Sequence, residues 1–97
     1  MLQQLLPQSE VLIPNTHSPN RAVEYINSYI SDVKCENLTV DISFMNAVDS
    51  AYVSTMCSTN HYIKYPEGKI NWIVSSKMAV DMSKFLQLGN SNYYLNN

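Results

Sequence analysis

The chain of 97 residues is long enough for one hydrophobic core and too short for two. Six basic and eight acidic side chains give a net charge of -2, which leaves no positive excess to neutralise a nucleic-acid backbone or an anionic membrane surface. The two glycines, Gly68 and Gly89, are too few to form a Walker P-loop or a Rossmann fingerprint. We therefore expect one globular domain over residues 1–97 that does not bind nucleic acid.

The cysteine content and the apolar runs indicate the cellular compartment. Cys35 and Cys57 are too few for a disulfide framework and form no C-x-x-C pair, which favours a reducing cytoplasm. The first ten residues lack a basic n-region, and Gln3, Gln4 and Pro7 interrupt their apolar run. We therefore do not expect them to be a signal peptide. No segment approaches the roughly 20 apolar residues of a membrane span. We expect a cytoplasmic protein with no membrane insertion and no cofactor.

The first half of the chain predicts a strand, a helix and a second strand. Residues 11–14 are a short apolar run that a Pro-Asn breaker ends, which is typical of a strand. Ser18 is placed as an N-cap before Pro19, and apolar residues at helical spacing continue the predicted helix to about Ser31. Alternating apolar and polar residues over 38–42 then predict a strand with one buried face.

The second half repeats the alternation of helix and strand. Residues 50–64 carry an apolar stripe at helical spacing and predict a helix, which the sequence Y-P-E-G ends in a type I turn. Residues 70–74 predict a strand, and residues 76–88 predict a third helix before Gly89. The tail, residues 90–97, is expected to fray. The order β-α-β-α-β-α indicates an α/β domain with a mainly parallel sheet and helices on one face.

These periodicities also predict which side chains are buried together. The predicted core consists of Ile26, Ile30, Val40, Ile42, Val53, Met56, Trp72, Met82 and Phe85.

Motifs between Leu38 and Gly89 point to a known family. The sequence V-D-I-S begins at Val40, V-D-S begins at Val48, and F-L-Q-L-G ends at Gly89. With these motifs the stretch resembles the STAS domain of bacterial anti-sigma factor antagonists. There a strand L-x-V-D-L-S precedes an aspartate and a serine that open the second helix, and a later helix ends in L-x-x-x-G. The family usually has D-S-S-G where this chain, from Asp49, has D-S-A-Y.

The resemblance implies a regulatory protein-interaction module with a STAS-like fold and no enzymatic activity. In many members the serine after the aspartate is phosphorylated by an anti-sigma factor kinase, and phosphorylation releases the partner. The matching residue here is Ser50, expected to be exposed at the start of the second helix, where backbone N–H groups would stabilise a phosphate. The candidates for partner binding are Asp49, Ser50, Tyr52 and Ser54.

Other interpretations of these residues stay open. Asp and Ser are preferred N-cap residues, so Asp49 and Ser50 could cap the helix without any regulation. The chain could instead be an unphosphorylated STAS-like structural subunit of a transporter or another cytoplasmic complex. A second copy of the chain could also serve as the partner, and Tyr93 and Tyr94 are then candidate interface residues.

Two pairs of side chains raise the alternative of catalysis or metal binding. Cys57 and His61 are four residues apart on one predicted helix, which would allow a thiolate–imidazole pair or two metal ligands. Neither an oxyanion hole nor a full ligand set accompanies them, so we expect a buried thiol and a boundary histidine. Asp41 and Asp49 are expected on a polar strand face and at a helix cap rather than as an acid–base pair.

Overall fold

The computed structural model describes residues 11–75, residue 81 and residues 89–96. In these residues the elements are β1 (Val11–Leu12), α1 (Pro19–Asp32), β2 (Asn37–Asp41), α2 (Ala47–Lys64), β3 (Lys69–Val74) and β4 (Ser91–Leu95).

The strands form one sheet in which every neighbouring pair is parallel and the order is β1-β2-β3-β4. Each strand lies beside the strand that precedes it in the sequence. When the strand order follows the sequence in this way, right-handed crossover connections place the connecting helices on the same face of the sheet. Trp72 of β3 and Tyr93 of β4 both donate hydrogen bonds to serines of α2, and the buried side chains of α1 join the same core. The predicted α/β class and parallel sheet are confirmed.

Helix α1 is determined by a cap and by one apolar face. Ser18 is the N-cap, its hydroxyl accepts a hydrogen bond from a backbone amide of the first turn, and Pro19 is the first helical residue. The buried residues Ala22, Ile26 and Ile30 are four apart and therefore share one face of the helix. The predicted cap is confirmed, and the helix ends close to its predicted end.

Helix α2 begins at Ala47 and not at Ser50, where the sequence predicts its start. Asn46 is the N-cap and accepts a hydrogen bond from the Asp49 amide at 2.8 Å. The prediction was wrong because Asn, Asp and Ser are all preferred at caps, and three such residues stand within one turn. Ser50 is consequently the fourth residue of the helix.

A tight turn joins α2 to β3. The Gly68 amide donates to the Tyr65 carbonyl oxygen at 2.9 Å, as the predicted type I turn requires. A Cβ atom on Gly68 would overlap the carbonyl oxygen of Glu36, which accepts a hydrogen bond from the Lys69 amide at 2.9 Å. Glycine at this position therefore lets β3 begin directly beside β2.

The core lies between the sheet and the two helices. It includes six of the predicted side chains: Ile26, Ile30, Val40, Ile42, Val53 and Trp72. The sequence predicts Met56 there as well, but its side chain is 45% exposed, because Ser54 and Ser58 occupy the positions of α2 that face the sheet. Met82 and Phe85, like the predicted third helix around them, lie outside the described residues.

The segment predicted to fray, residues 90–97, contains a strand instead. Ser91–Leu95 pairs with β3, and the flanking bonds from the Ile70 amide to Asn90 and from the Asn96 amide to Val74 both measure 2.8 Å. The asparagines of this segment are typical of a loop. Main-chain hydrogen bonds to β3 do not depend on side-chain polarity, so composition gave no indication of them.

Replacing Ile42 with alanine should lower the free energy of unfolding by about 2 to 5 kcal/mol, because the fully buried side chain leaves a cavity. The matched control is Ile63→Ala, which removes the same atoms from a side chain that is 74% exposed. That variant should change the free energy by less than about 0.5 kcal/mol. Denaturant melts measure both, and equal losses would contradict the described core.

Candidate functional site

The four predicted site residues lie in the first two turns of α2 but do not form one surface. Tyr52 is 41% exposed and Asp49 is half-buried, whereas Ser50 and Ser54 are buried. Of the four, a docked protein could therefore contact only Asp49 and Tyr52.

The hydroxyl of Ser50 is enclosed by the structure. Its side chain is 1% exposed, and its Oγ donates a hydrogen bond to the Met45 carbonyl oxygen at 3.4 Å. The prediction that Ser50 is exposed in the first turn is wrong, because Ser50 lies on the same side of α2 as Ser54, which faces the sheet. A phosphate dianion here would be buried against a carbonyl oxygen, at a large desolvation cost.

Asp49 is the third residue of α2 and bonds to the N-cap, Asn46. Its amide donates to Asn46 Oδ1 at 2.8 Å, and Asn46 Nδ2 donates to Asp49 Oδ2 at 3.3 Å. The carboxylate lies in the first turn, where the helix dipole favours negative charge. The N-cap is therefore Asn46, which Asp49 supports through its carboxylate, and the expectation that Asp49 or Ser50 caps the helix is wrong.

Ser54 and Ser58 attach α2 to the sheet. The Tyr93 hydroxyl donates to Ser54 Oγ at 2.9 Å, and Trp72 Nε1 donates to Ser58 Oγ at 2.8 Å. Both serines are fully buried. Ser54 thus has a structural role, and the face of α2 that is open to a partner is the opposite one.

That opposite face is mainly apolar, and the exposed Thr59 is a polar residue between Met56 and Ile63. We call it the α2 stripe and define it by four side chains, which are exposed by 64%, 41%, 45% and 74%: Val48, Tyr52, Met56 and Ile63. Spacings of four, four and seven residues place them along one side of the helix. Sequence reasoning missed the stripe because it assigned Met56 to the core. The sequence does contain a signal for the stripe: its apolar residues recur at helical spacing on a different side of the helix from the buried Val53 and Cys57.

Tyr52 links the stripe to α1. Its hydroxyl donates to Asn20 Oδ1 at 2.9 Å, and farther along the two helices Asn60 Nδ2 donates to Asn27 Oδ1 at 3.2 Å. The bond to Asn20 restrains the Tyr52 ring before any partner binds, which lowers the entropy cost of binding.

Cys57 and His61 make separate contacts. Cys57 Sγ lies 3.9 Å from the Val23 carbonyl oxygen, and burial raises the pKa of this thiol to about 12. His61 Nε2 lies 2.8 Å from the Cys35 carbonyl oxygen, and burial lowers the pKa of its imidazole. A thiol with so high a pKa is not a nucleophile at neutral pH. Among the described residues, no three His, Cys, Asp or Glu side chains are grouped to hold a metal ion.

A cleft of about 410 Å³ lies at the carboxyl ends of β1 and β2. Its lining is Pro14, Asn15, Thr16, His17 and Phe44. His17 is the one ionisable side chain in this lining, and the nearby Asp41 carboxylate accepts hydrogen bonds from the amide and the hydroxyl of Ser43. The lining therefore contains no acid–base pair, and Asp41 and Asp49 each bond locally as expected.

Searches compared the chain with protein-family models, curated proteins and solved structures, and none of them found a match. The comparisons thus lend the STAS resemblance no support, and family membership stays a prediction. Within residues 11–75 and 89–96, no helix combines the length and the apolar character that a bilayer span requires.

Replacing Ser50 with aspartate should destabilise the fold by at least about 2 kcal/mol, because the new carboxylate would be buried beside the Met45 carbonyl oxygen. Val48→Asp is the matched control: it places the same charge in the same turn on a side chain that is 64% exposed. Thermal or denaturant melts should show a loss for Ser50→Asp alone. An unchanged Ser50→Asp variant would show that the hydroxyl is accessible after all.

The stability of the fold should decrease on acidification through the titration of His61. Its folded-state pKa lies below the ordinary value of 6.5, so the unfolded chain binds a proton that the folded chain excludes. The contribution is fully present above about pH 7 and is lost as the pH falls below about 6. Melts across this range should show a weaker pH dependence for His61→Gln than for the parent. Parallel curves for the two proteins would contradict a neutral buried imidazole.

Proposed function

We propose that this domain is a non-enzymatic protein-interaction module whose docking surface is the α2 stripe. The observation that carries the proposal is the absence of any Asp, Glu, Lys or Arg from residues 50–63, although the stripe is exposed to solvent. Exposed helix faces are ordinarily charged or polar. Large apolar side chains without charges have instead the composition of interface cores, which are depleted of charge and enriched in Tyr and Met.

The partner element that fits this surface is an amphipathic helix. The stripe follows the axis of α2 with side chains at intervals of four and seven residues, and a second helix can align its own apolar positions with these. Charged side chains of α2 lie near the two ends of the stripe, with Asp49 in the first turn and Lys64 in the last. A helix with an apolar centre and a basic residue near Asp49 would be complementary.

Of the two functions that the STAS resemblance implies, we favour the structural subunit of a cytoplasmic complex. The enclosed hydroxyl of Ser50 supports docking that phosphorylation of this residue does not switch. Free, buried thiols at Cys35 and Cys57 are compatible with a reducing compartment. Membership of the STAS family is part of the proposal and rests on the motifs around Val40 and Asp49.

Site-specific photo-crosslinking in the native host identifies the partner. A photoreactive residue at position 48 should crosslink to one protein species that a photoreactive residue at position 34 does not capture. Lys34 is a suitable control because it is exposed and lies in the loop that follows α1, where the adjacent Cys35 contacts His61 at the opposite end of α2 from Val48. Identical crosslinking patterns at the two positions would contradict a docking surface on α2.

The captured partner, once purified, should bind the Val48→Glu variant at least about tenfold more weakly than the parent, because the charge would be desolvated in an apolar contact. This variant should keep its fold, since an acidic residue in the first helical turn is favourable. Lys34→Gln lowers the net charge by the same one unit and, as the control, should bind like the parent. Titration calorimetry measures all three, and unchanged binding by Val48→Glu would overturn the proposal.

A further inference from the structure

The outer edge of β4 carries main-chain groups that point away from the sheet. The Ile70 amide donates to the Asn90 carbonyl oxygen, and the Asn96 amide donates to the Val74 carbonyl oxygen. In a parallel pair, alternate residues direct both their main-chain groups to the same neighbour. The even-numbered residues of β4 therefore bond to β3, and the amides and carbonyls of the odd-numbered residues face the outer edge. Those residues are Ser91, Tyr93 and Leu95.

This edge lacks the features that normally prevent strand pairing. Natural edge strands are protected by charged side chains, prolines or bulges. Residues 89–97 contain no charged residue and no proline, and β4 pairs with β3 over five consecutive positions without a bulge. The side chains of Tyr94 and Leu95 are 54% and 44% exposed. In the described part of the sheet, β4 is the last strand.

We propose that β4 pairs with β4 of a second copy of this chain, antiparallel and across a twofold axis, so that the two sheets become continuous. The register that uses the whole strand places Tyr93 opposite Tyr93 of the other copy and Ser91 opposite Leu95. All three outward-facing residues then exchange both main-chain hydrogen bonds, which gives about six bonds between the copies. Antiparallel pairing about a twofold axis forms a closed dimer.

A second copy fits this edge because self-pairing places the side chains of the strand beside those of an identical strand. A charged strand would place like charges close together, whereas residues 89–97 place none. At the axis two Tyr93 rings meet, and aromatic pairs across strands are stabilising. On the face opposite the helices, Asn92 of one copy lies across from Tyr94 of the other. The α2 stripe is on a different element, so this interface is separate from the proposed docking surface.

Two double variants test both the dimer and its register by sedimentation equilibrium. N92K/Y94K places Lys opposite Lys at both cross-strand pairs and should weaken dimerisation at least tenfold. N92K/Y94E places Lys opposite Glu and should dimerise within threefold of the parent. Both variants lose the hydrogen bond from Asn92 to Asn71, so their folds are matched. A monomeric parent, an undiminished dimer in N92K/Y94K or no recovery in N92K/Y94E would each overturn the proposal.

Hydrogen exchange on the parent tests the same pairing without any substitution. The Tyr93 and Leu95 amides should become more protected as the protein concentration rises, because only the second copy bonds to them. The Asn92 amide bonds to β3 in the monomer as well, so its protection should rise much less with concentration. Concentration-independent exchange at Tyr93 and Leu95 would exclude strand pairing even if the chain dimerises by another surface.

Discussion

Two hydrogen bonds to buried serines fix the rotation of α2 about its own axis, and the other functional features depend on that rotation. Ser58 accepts a hydrogen bond from the Trp72 indole at 2.8 Å, and Ser54 accepts one from the Tyr93 hydroxyl at 2.9 Å. Each aromatic side chain has one polar atom that requires a partner when it is buried. Serine is short enough to provide that partner while the ring still packs against the helix.

This attachment determines both exposed surfaces. Because Ser54 and Ser58 face the sheet, the residues on the opposite side of α2, including Met56, must face solvent, and the α2 stripe results. The same contacts also hold β4. Tyr93 belongs to that strand, and Asn90 before it donates a hydrogen bond to the Ser58 carbonyl oxygen at 3.2 Å. A segment with the composition of a loop is thereby ordered as a strand at the edge of the sheet.

Local patterns predicted the elements whose causes are local. The cap at Ser18, the turn at Gly68 and the strands β2 and β3 involve neighbouring residues, and each was confirmed, although Thr39 on the predicted polar face of β2 is buried. The orientation of α2 could not be predicted, since the serines that face the sheet bond to aromatic residues 14 and 39 positions away. Serine in a helix is ordinarily counted as exposed, so Met56 was placed in the core. For the same reason Ser50 was predicted to be exposed, although it is buried.

The α2 stripe and the outer edge of β4 both lack charged side chains, and surfaces of this kind promote association with other molecules. A net charge of -2 supplies little repulsion between copies, so a bare apolar stripe and an unprotected strand edge would both favour non-specific association. An occupant for each surface removes that hazard. The bond from Tyr93 to Ser54 connects β4 to α2. Strand pairing at β4 would therefore hold α2 in the orientation that exposes the α2 stripe. Dimerisation and docking would then support each other, because each stabilises the same attachment of α2 to the sheet.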